Sequence, residues 1–148
     1  LNRFVMPQIL KKIPDLKLVL TGGGYIKKLP WIINKGIVSK KDLLNLLFFS
    51  KCLCVPLKFG SGTRIKIIEA LSIGAIVVSS KKGIEGIQTK IFNPPFIIDK
   101  DKKLIQNLLK IIKDNKKIKR KAILSKNYYL KKYSMKNLIK KFIYENSI

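Results

Sequence analysis

The chain has 148 residues, of which 47% are hydrophobic, so it can bury one domain-sized core. It contains 32 lysines and arginines against 8 acidic residues, a formal net charge of +24, and it has no run of 18 uncharged apolar residues that would predict a transmembrane helix. Histidine is absent, which excludes histidine-based catalytic triads, histidine general bases and histidine metal ligands.

Helical and extended segments alternate along the chain. The spacing of apolar residues predicts an amphipathic helix near 3–13 and a strand at 16–21, and a triple-glycine turn follows the strand. The later predicted elements are a short strand near 35–38, a helix at 41–49, a strand at 52–57, a helix from Thr63, strands at 76–79 and 96–98, and a lysine-rich helical tail at 101–146. This order favours an α/β fold, a Rossmann-like parallel sheet with helices on both faces. Ligands in such folds bind beyond the carboxyl ends of the strands.

The two cysteines, Cys52 and Cys54, are separated by one residue, so both lie on the same face of the predicted strand. Without a further cysteine or a histidine they cannot complete a zinc site. We therefore expect both to be core residues, which is consistent with a reducing compartment.

The segment 56–70 places a glycine loop, two cations and one carboxylate around a strand-to-helix junction. Gly60 and Gly62 let the backbone approach an anion closely, and the free amide groups of the following helix point at that position. Arg64 and Lys66 add formal charge that suits phosphate oxygens. This layout is typical of a nucleotide-phosphate site.

Glu69 lies further along the same predicted helix, where its carboxylate can accept hydrogen bonds from two vicinal hydroxyls such as those of a ribose. It stands between apolar neighbours, where an unpaired buried carboxylate would be costly. The chain has only three arginines and three glutamates, so its bias towards lysine and isoleucine does not predict Arg64 or Glu69.

The segment Phe59–Ala70, followed by Gly74, Val77–Ser79 and Gly83–Ile87, resembles the donor-binding region of group 1 (family 4) glycosyltransferases of the GT-B fold. Two further segments extend the resemblance. Leu16–Gly24 resembles the strand and glycine turn near the start of that domain, and Gly36–Ser39 resembles its base-binding edge. The resemblance covers about 110 residues, a domain-sized stretch.

This resemblance implies roles for individual residues. Arg64 and Lys66 would hold the donor pyrophosphate and act in catalysis, Glu69 would bind the ribose, and the backbone around Ile37 and Val38 would meet the base. The other residues expected to bind the donor are Gly60, Ser61, Gly62, Thr63, Gly22 and Gly23. Ser61 departs from the family pattern, because many members carry there the first of two glutamates.

The resemblance also implies what the domain does and where. Residues 1–148 would form a single donor-binding domain, the C-terminal half of a GT-B enzyme whose N-terminal acceptor domain and first strand lie outside this chain. The expected activity is transfer of a hexose from a UDP-, GDP- or ADP-sugar to a cell-surface glycan or lipid-linked acceptor. No cofactor is expected. No metal is expected either, since Asp99–Asp101 is predicted to begin a helix rather than to form a DxD metal motif.

Two other functions stay open at this point. The first alternative to an enzyme is a non-catalytic module that binds a nucleotide sugar, which the serine at position 61 would favour. The second is a basic domain that binds polyanions or a membrane surface. Gly22–Gly24 alone fits a plain turn equally well. The lysines that suggest peripheral contact with the inner face of the membrane are Lys110, Lys113, Lys116 and Lys117. We expect a cytoplasmic protein with no specific nucleic-acid partner.

Overall fold

The computed structural model describes residues 4–24, 28–59, 65–87, 96–98, 101–113 and 115–134. Helices and strands alternate over these ranges. The helices are α1 (Val5–Leu10), α2 (Lys40–Phe49), α3 (Ile65–Ser72), α4 (Asp101–Lys113) and α5 (Asn115–Lys132). The strands are β1 (Leu18–Leu20), β2 (Ile32–Asn34), β3 (Leu53–Val55), β4 (Val77–Ser80) and β5 (Phe96–Ile98), and a 3-10 turn spans Lys82–Ile84.

Every strand pair among the described residues is parallel. β1 pairs with β2, and a three-stranded sheet has the order β3, β4, β5. In that sheet Cys54 lies opposite Val78, and Ser79 lies opposite both Val55 and Ile97. The predicted α/β fold with parallel strands is therefore confirmed.

Two hydrophobic clusters cover the two faces of the three-stranded sheet. Successive residues of β4 point to opposite faces, so Val78 joins one cluster and Val77 the other. The cluster around Val78 contains Val5, Ile9, Ile76, Leu104, Leu108, Ile111, Ile118 and Ala122. The cluster around Val77 contains Leu47, Ile67, Ala70, Leu71, Ala75, Ile87 and Tyr129. Helices thus pack on both faces, as predicted, and α5 contributes to both clusters.

Both cysteines point to the same face of the sheet, as predicted, but each is half-buried at the border of the core instead of fully buried within it. Cys52 and Cys54 pack against the cluster around Val78, whereas Leu53 and Val55 pack against the other cluster. Both thiols are free. Burial raises the pKa of Cys52 to about 12 and that of Cys54 to about 11, so both stay protonated near neutral pH.

Local signals in the sequence set two helix ends. Ser39 caps α2 by accepting a hydrogen bond from the Asp42 amide at 3.1 Å, and its hydroxyl donates to the Asp42 carboxylate at 2.6 Å. After α3, Gly74 adopts a φ of +76°, the left-handed conformation in which helices commonly end. Gly74 therefore marks the carboxyl end of α3.

The prediction of a strand near 35–38 was wrong. β2 ends at Asn34, and the next residues form a turn in which the Gly36 amide donates to Asn34 Oδ1 at 3.0 Å and Gly36 has a φ of +59°. An asparagine side chain that bonds the backbone two residues on is turn chemistry, and it outweighs the apolar pair Ile37 and Val38 that suggested a strand.

The helical tail is confirmed as far as the structure describes it. It consists of α4, which begins at Asp101 as predicted, and α5. Residues 135–148 and the pair 99–100 lie outside the described residues. Over the described ranges, no helix combines the length and the apolar character needed to cross a membrane.

Candidate functional site

The candidate site is built on the loops that leave the carboxyl ends of the strands. Because β3 and β4 run parallel, as do β1 and β2, the loops after paired strands emerge at the same end. These loops are 21–24 after β1, 35–39 after β2, 56–59 after β3 and 81–85 after β4. β1 and β2 form one sheet and β3, β4 and β5 another, and we call the carboxyl ends of the strands in both sheets together the carboxyl edge.

The loops after β1 and β2 are joined by a hydrogen bond. The Gly22 amide donates to the Gly36 carbonyl oxygen at 2.7 Å, and Gly22 has a φ of +112°, which strongly favours glycine. The structure therefore brings the glycine turn together with the segment predicted to meet the base. In that segment Ile37 is 88% exposed and Val38 is half-buried.

Helix α3 presents two of the predicted donor-binding side chains on one face. Lys66 and Glu69 are three residues apart, so they neighbour each other on the helix surface. The opposite face is buried in the core through Ile67, Ala70 and Leu71. Burial of that face fixes the rotation of the helix. Lys66 is exposed and Glu69 half-buried as a result.

Glu69 has a charged partner that sequence reasoning missed. Lys40 Nζ lies 3.6 Å from Glu69 Oε1, and the exposed fractions of the two side chains are 78% and 23%. Lys40 is the first residue of α2, immediately after the cap at Ser39. The cap motif predicts where α2 begins, but no spacing in the sequence connects that position with Glu69.

A set of hydrogen bonds fixes the chain as it leaves β3. Ser79 Oγ donates to the Val55 carbonyl oxygen at 3.1 Å, Ser80 Oγ donates to the Leu57 carbonyl oxygen, and the Gly83 amide donates to Ser80 Oγ at 3.0 Å. A Cβ atom at Gly83 would lie 3.0 Å from the Val55 carbonyl oxygen and closer still to Ser79 Oγ. Gly83 is therefore needed for close packing beneath the loop, a role that the sequence alone did not reveal.

Five predicted site residues lie outside the described residues: Gly60, Ser61, Gly62, Thr63 and Arg64. Their roles remain predictions. The structure describes their flanks, because the chain leaves β3 at Val55 and enters α3 at Ile65. A strand-to-helix junction at the carboxyl edge is the position at which anions bind in parallel α/β sheets.

A comparison with protein families shows to which family the chain belongs. A family model described as glycosyl transferases group 1 matches residues 3–114, which is most of the chain. The chain belongs to this family. A comparison with curated proteins gave no match. As a group 1 glycosyltransferase domain it serves transfer of a sugar between a donor and an acceptor. Helix α5 lies beyond the matched residues.

Proposed function

We propose that this group 1 glycosyltransferase domain binds a nucleotide-diphosphate sugar at the carboxyl edge. Arg64 and Lys66 hold the pyrophosphate, and Glu69 accepts hydrogen bonds from the ribose hydroxyls. The base lies along the backbone of Ile37 and Val38. The remaining donor contacts come from Gly22 and Gly23 and from the loop Gly60, Ser61, Gly62 and Thr63.

The catalytic step follows from the charge at this site. When the bond between the anomeric carbon and the diphosphate breaks, negative charge grows on the leaving phosphate, and stabilising that charge lowers the barrier. Arg64, Lys66 and the free amides at the start of α3 supply this stabilisation without a metal ion. Activity should therefore survive EDTA, and a loss that Mg²⁺ restores would contradict this part of the proposal.

The observation that carries the proposal is the shared face of α3. Lys66 and Glu69 lie side by side on a helix whose rotation is fixed by its buried face, at the carboxyl edge. A cation for phosphate and a carboxylate for vicinal hydroxyls, carried by side chains whose Cβ atoms are about 5–6 Å apart on the helix surface, suit the two ends of a ribose diphosphate.

The test is the variant Arg64→Ala in the full-length protein. Loss of a charged hydrogen bond to the leaving phosphate should lower kcat/KM by about tenfold or more. The matched control is Lys12→Ala, which removes an exposed cation just after α1 and should leave kcat/KM unchanged. An Arg64→Ala enzyme with the control's kcat/KM would refute the role of Arg64.

A second candidate function is a nucleotide-sugar-binding module without catalysis. The observation in its favour is Ser61, which stands where many relatives have a glutamate. Sugar transfer by the intact protein to any acceptor would exclude it. Calorimetric binding of the donor without any transfer would favour it.

The proposal also covers the role of the domain in the enzyme, its location in the cell and its acceptor. Residues 1–148 supply the donor-binding domain of a hexosyltransferase. The two free thiols fit a reducing compartment, so we place the protein in the cytoplasm, at the inner face of the membrane, with a glycan or lipid-linked acceptor. Titration calorimetry with UDP, GDP, ADP and their sugars would identify the donor.

A further inference from the structure

The amino ends of β3 and β4 carry an exposed surface that the donor site does not use. Its apolar members are Phe48 and Phe49 from the end of α2 and Ile123 and Leu124 from α5, and its cations are Lys51, Lys116, Lys119 and Arg120. We call these eight residues the basic–apolar patch. Lys51 lies two residues before the start of β3, and the neighbouring residues 74–76 lie immediately before β4.

The patch is one continuous surface built from two helices, α2 and α5, and from Lys51 just after α2. Lys119 Nζ lies 5.3 Å from the centroid of the Phe48 ring, and the ring of Phe49 meets that of Phe48 edge-on at 5.2 Å between centroids. On α5 the members Lys116, Lys119, Arg120, Ile123 and Leu124 follow helical spacing, so they share one face.

The apolar members are unusually exposed. Phe49 is 81% exposed and Leu124 is 69% exposed, and Leu124 lies beside Lys116 and Arg120. Single exposed apolar residues are common, but a cluster rimmed by charged residues marks an interaction site. The feature to explain is therefore the combination of projecting apolar side chains with four positive charges.

The charge and the apolar side chains of the patch together indicate which kind of partner it binds. None of its eight members is acidic, and the whole chain carries +24, so a second copy would bring like charges together. Nucleic acid would use the cations, but phosphates offer nothing to Ile123 and Leu124. An anionic bilayer offers both, because its headgroups attract lysine and arginine while aliphatic and aromatic side chains insert below them.

We propose that the basic–apolar patch docks the domain on an anionic membrane surface. The patch lies at the amino ends of β3 and β4, opposite the carboxyl edge, so a docked domain keeps its donor loops open to solution. Membrane binding and donor binding are therefore independent of each other. An excess of UDP should leave membrane binding unchanged, whereas competition by UDP would place the membrane contact at the donor site and overturn the proposal.

The first test of the proposal is co-sedimentation of the full-length protein with lipid vesicles. Binding is expected to equimolar phosphatidylcholine and phosphatidylglycerol, and only weakly to phosphatidylcholine alone. The variant K116E/R120E should weaken binding about 25-fold or more, since each cation contributes about fivefold near an anionic surface. The matched control K11E/K12E makes the same change in total charge outside the patch. Equal losses in the two variants would refute a specific surface.

A second pair of variants separates a membrane from a nucleic acid. F49S/L124S removes apolar side chains and no charge, and it should weaken vesicle binding about tenfold because those side chains leave water on docking. Its control is F4S, which replaces another exposed phenylalanine outside the patch. Binding to duplex DNA should be the same for F49S/L124S and the unmodified protein. Vesicle binding that F49S/L124S leaves intact would reduce the patch to a general polyanion site and overturn the proposal.

Discussion

Glu69 and Lys40 form an ion pair at the candidate site, and the two partners should contribute differently to donor binding. An exposed ion pair contributes about 0–1 kcal/mol, so Lys40→Ala should change donor affinity by less than about fivefold. Glu69→Gln replaces the charged acceptor of the ribose hydroxyls and should lower affinity about tenfold or more. Titration calorimetry with the preferred nucleotide measures both. Equal losses would assign the role to the ion pair instead of to Glu69.

The thiols of the half-buried residues Cys52 and Cys54 should react slowly in the native protein. Their pKa values are raised by burial, to about 12 and about 11, and only the thiolate attacks an alkylating reagent. At pH 9 a cysteine with an ordinary pKa of 9.0 is half ionised, whereas Cys54, with a pKa of about 11, is about 1% ionised. Iodoacetamide labelling, followed by mass spectrometry, should therefore be about fiftyfold slower than in urea at the same pH.

The raised pKa values of the two thiols should also make the free energy of unfolding depend on pH. A thiol whose pKa is raised by folding holds its proton between pH 9 and 11, while the unfolded chain loses it, so the native state binds more protons there. The free energy of unfolding must then fall as the pH rises through that window. A Cys52→Ala/Cys54→Ala variant lacks this contribution and should show a smaller decline. In the iodoacetamide experiment, alkylation of the native protein as fast as in urea would show that the fold shields neither thiol.

At the scale of the elements, the turn after α3 depends on a single glycine. Gly74 has a φ of +76°, and a Cβ atom there would lie 3.1 Å from the Cα of Ile123 in α5. Gly74→Ala should therefore lower the free energy of unfolding by about 1–2 kcal/mol, through backbone strain and displacement of α5. Urea denaturation measures this change. The control is Gly23→Ala, where no atom lies within 4 Å of the added Cβ, and a loss there of equal size would contradict the explanation.

The elements that the sequence predicted well are those whose pattern and end signals agree. Ser39 caps the start of α2, and Gly74 marks the end of α3. At the start of β3 the two-residue spacing of Cys52 and Cys54 indicates that their side chains share a face. The strand near 35–38 failed because a local turn between Asn34 and Gly36 competes with the apolar pattern.

The candidate site was predictable only within one continuous segment. Lys66 and Glu69 could be found because helical spacing places them side by side. The contact between Lys40 and Glu69 joins two helices, and the packing of Gly83 on Val55 joins the 3-10 turn to the end of β3. Such contacts depend on how the elements pack, which no local pattern encodes.

At the scale of the whole molecule, the two ends of the sheet have separate tasks in our proposals. The carboxyl edge gathers the glycine turn, the exposed Lys66 and the half-buried Glu69 around the donor. The amino ends of β3 and β4 carry the basic–apolar patch, and five of its eight members belong to α5, which lies beyond the residues that the family match covers. A separation of this kind lets membrane docking concentrate the enzyme without blocking entry of the donor.

The net charge of +24 should make the fold more stable as salt increases. The compact state holds 32 cations and 8 anions close together, so repulsion among cations outweighs the few attractive pairs such as Lys82 with Glu85. Raising NaCl from about 10 mM to about 100 mM shortens the screening length from about 30 Å to about 10 Å. The free energy of unfolding should rise by at least about 1 kcal/mol, since many pairs are screened at once.

Urea denaturation at each NaCl concentration measures this gain, because urea is uncharged and does not itself screen charge. Chloride is preferred to sulfate, which strengthens apolar burial independently of charge. The variant K11E/K12E, which changes the net charge by four units from +24 to +20, should show a smaller gain. A midpoint that does not move with NaCl, or that falls, would mean that local ion pairs outweigh the repulsion and would refute this account of the charge.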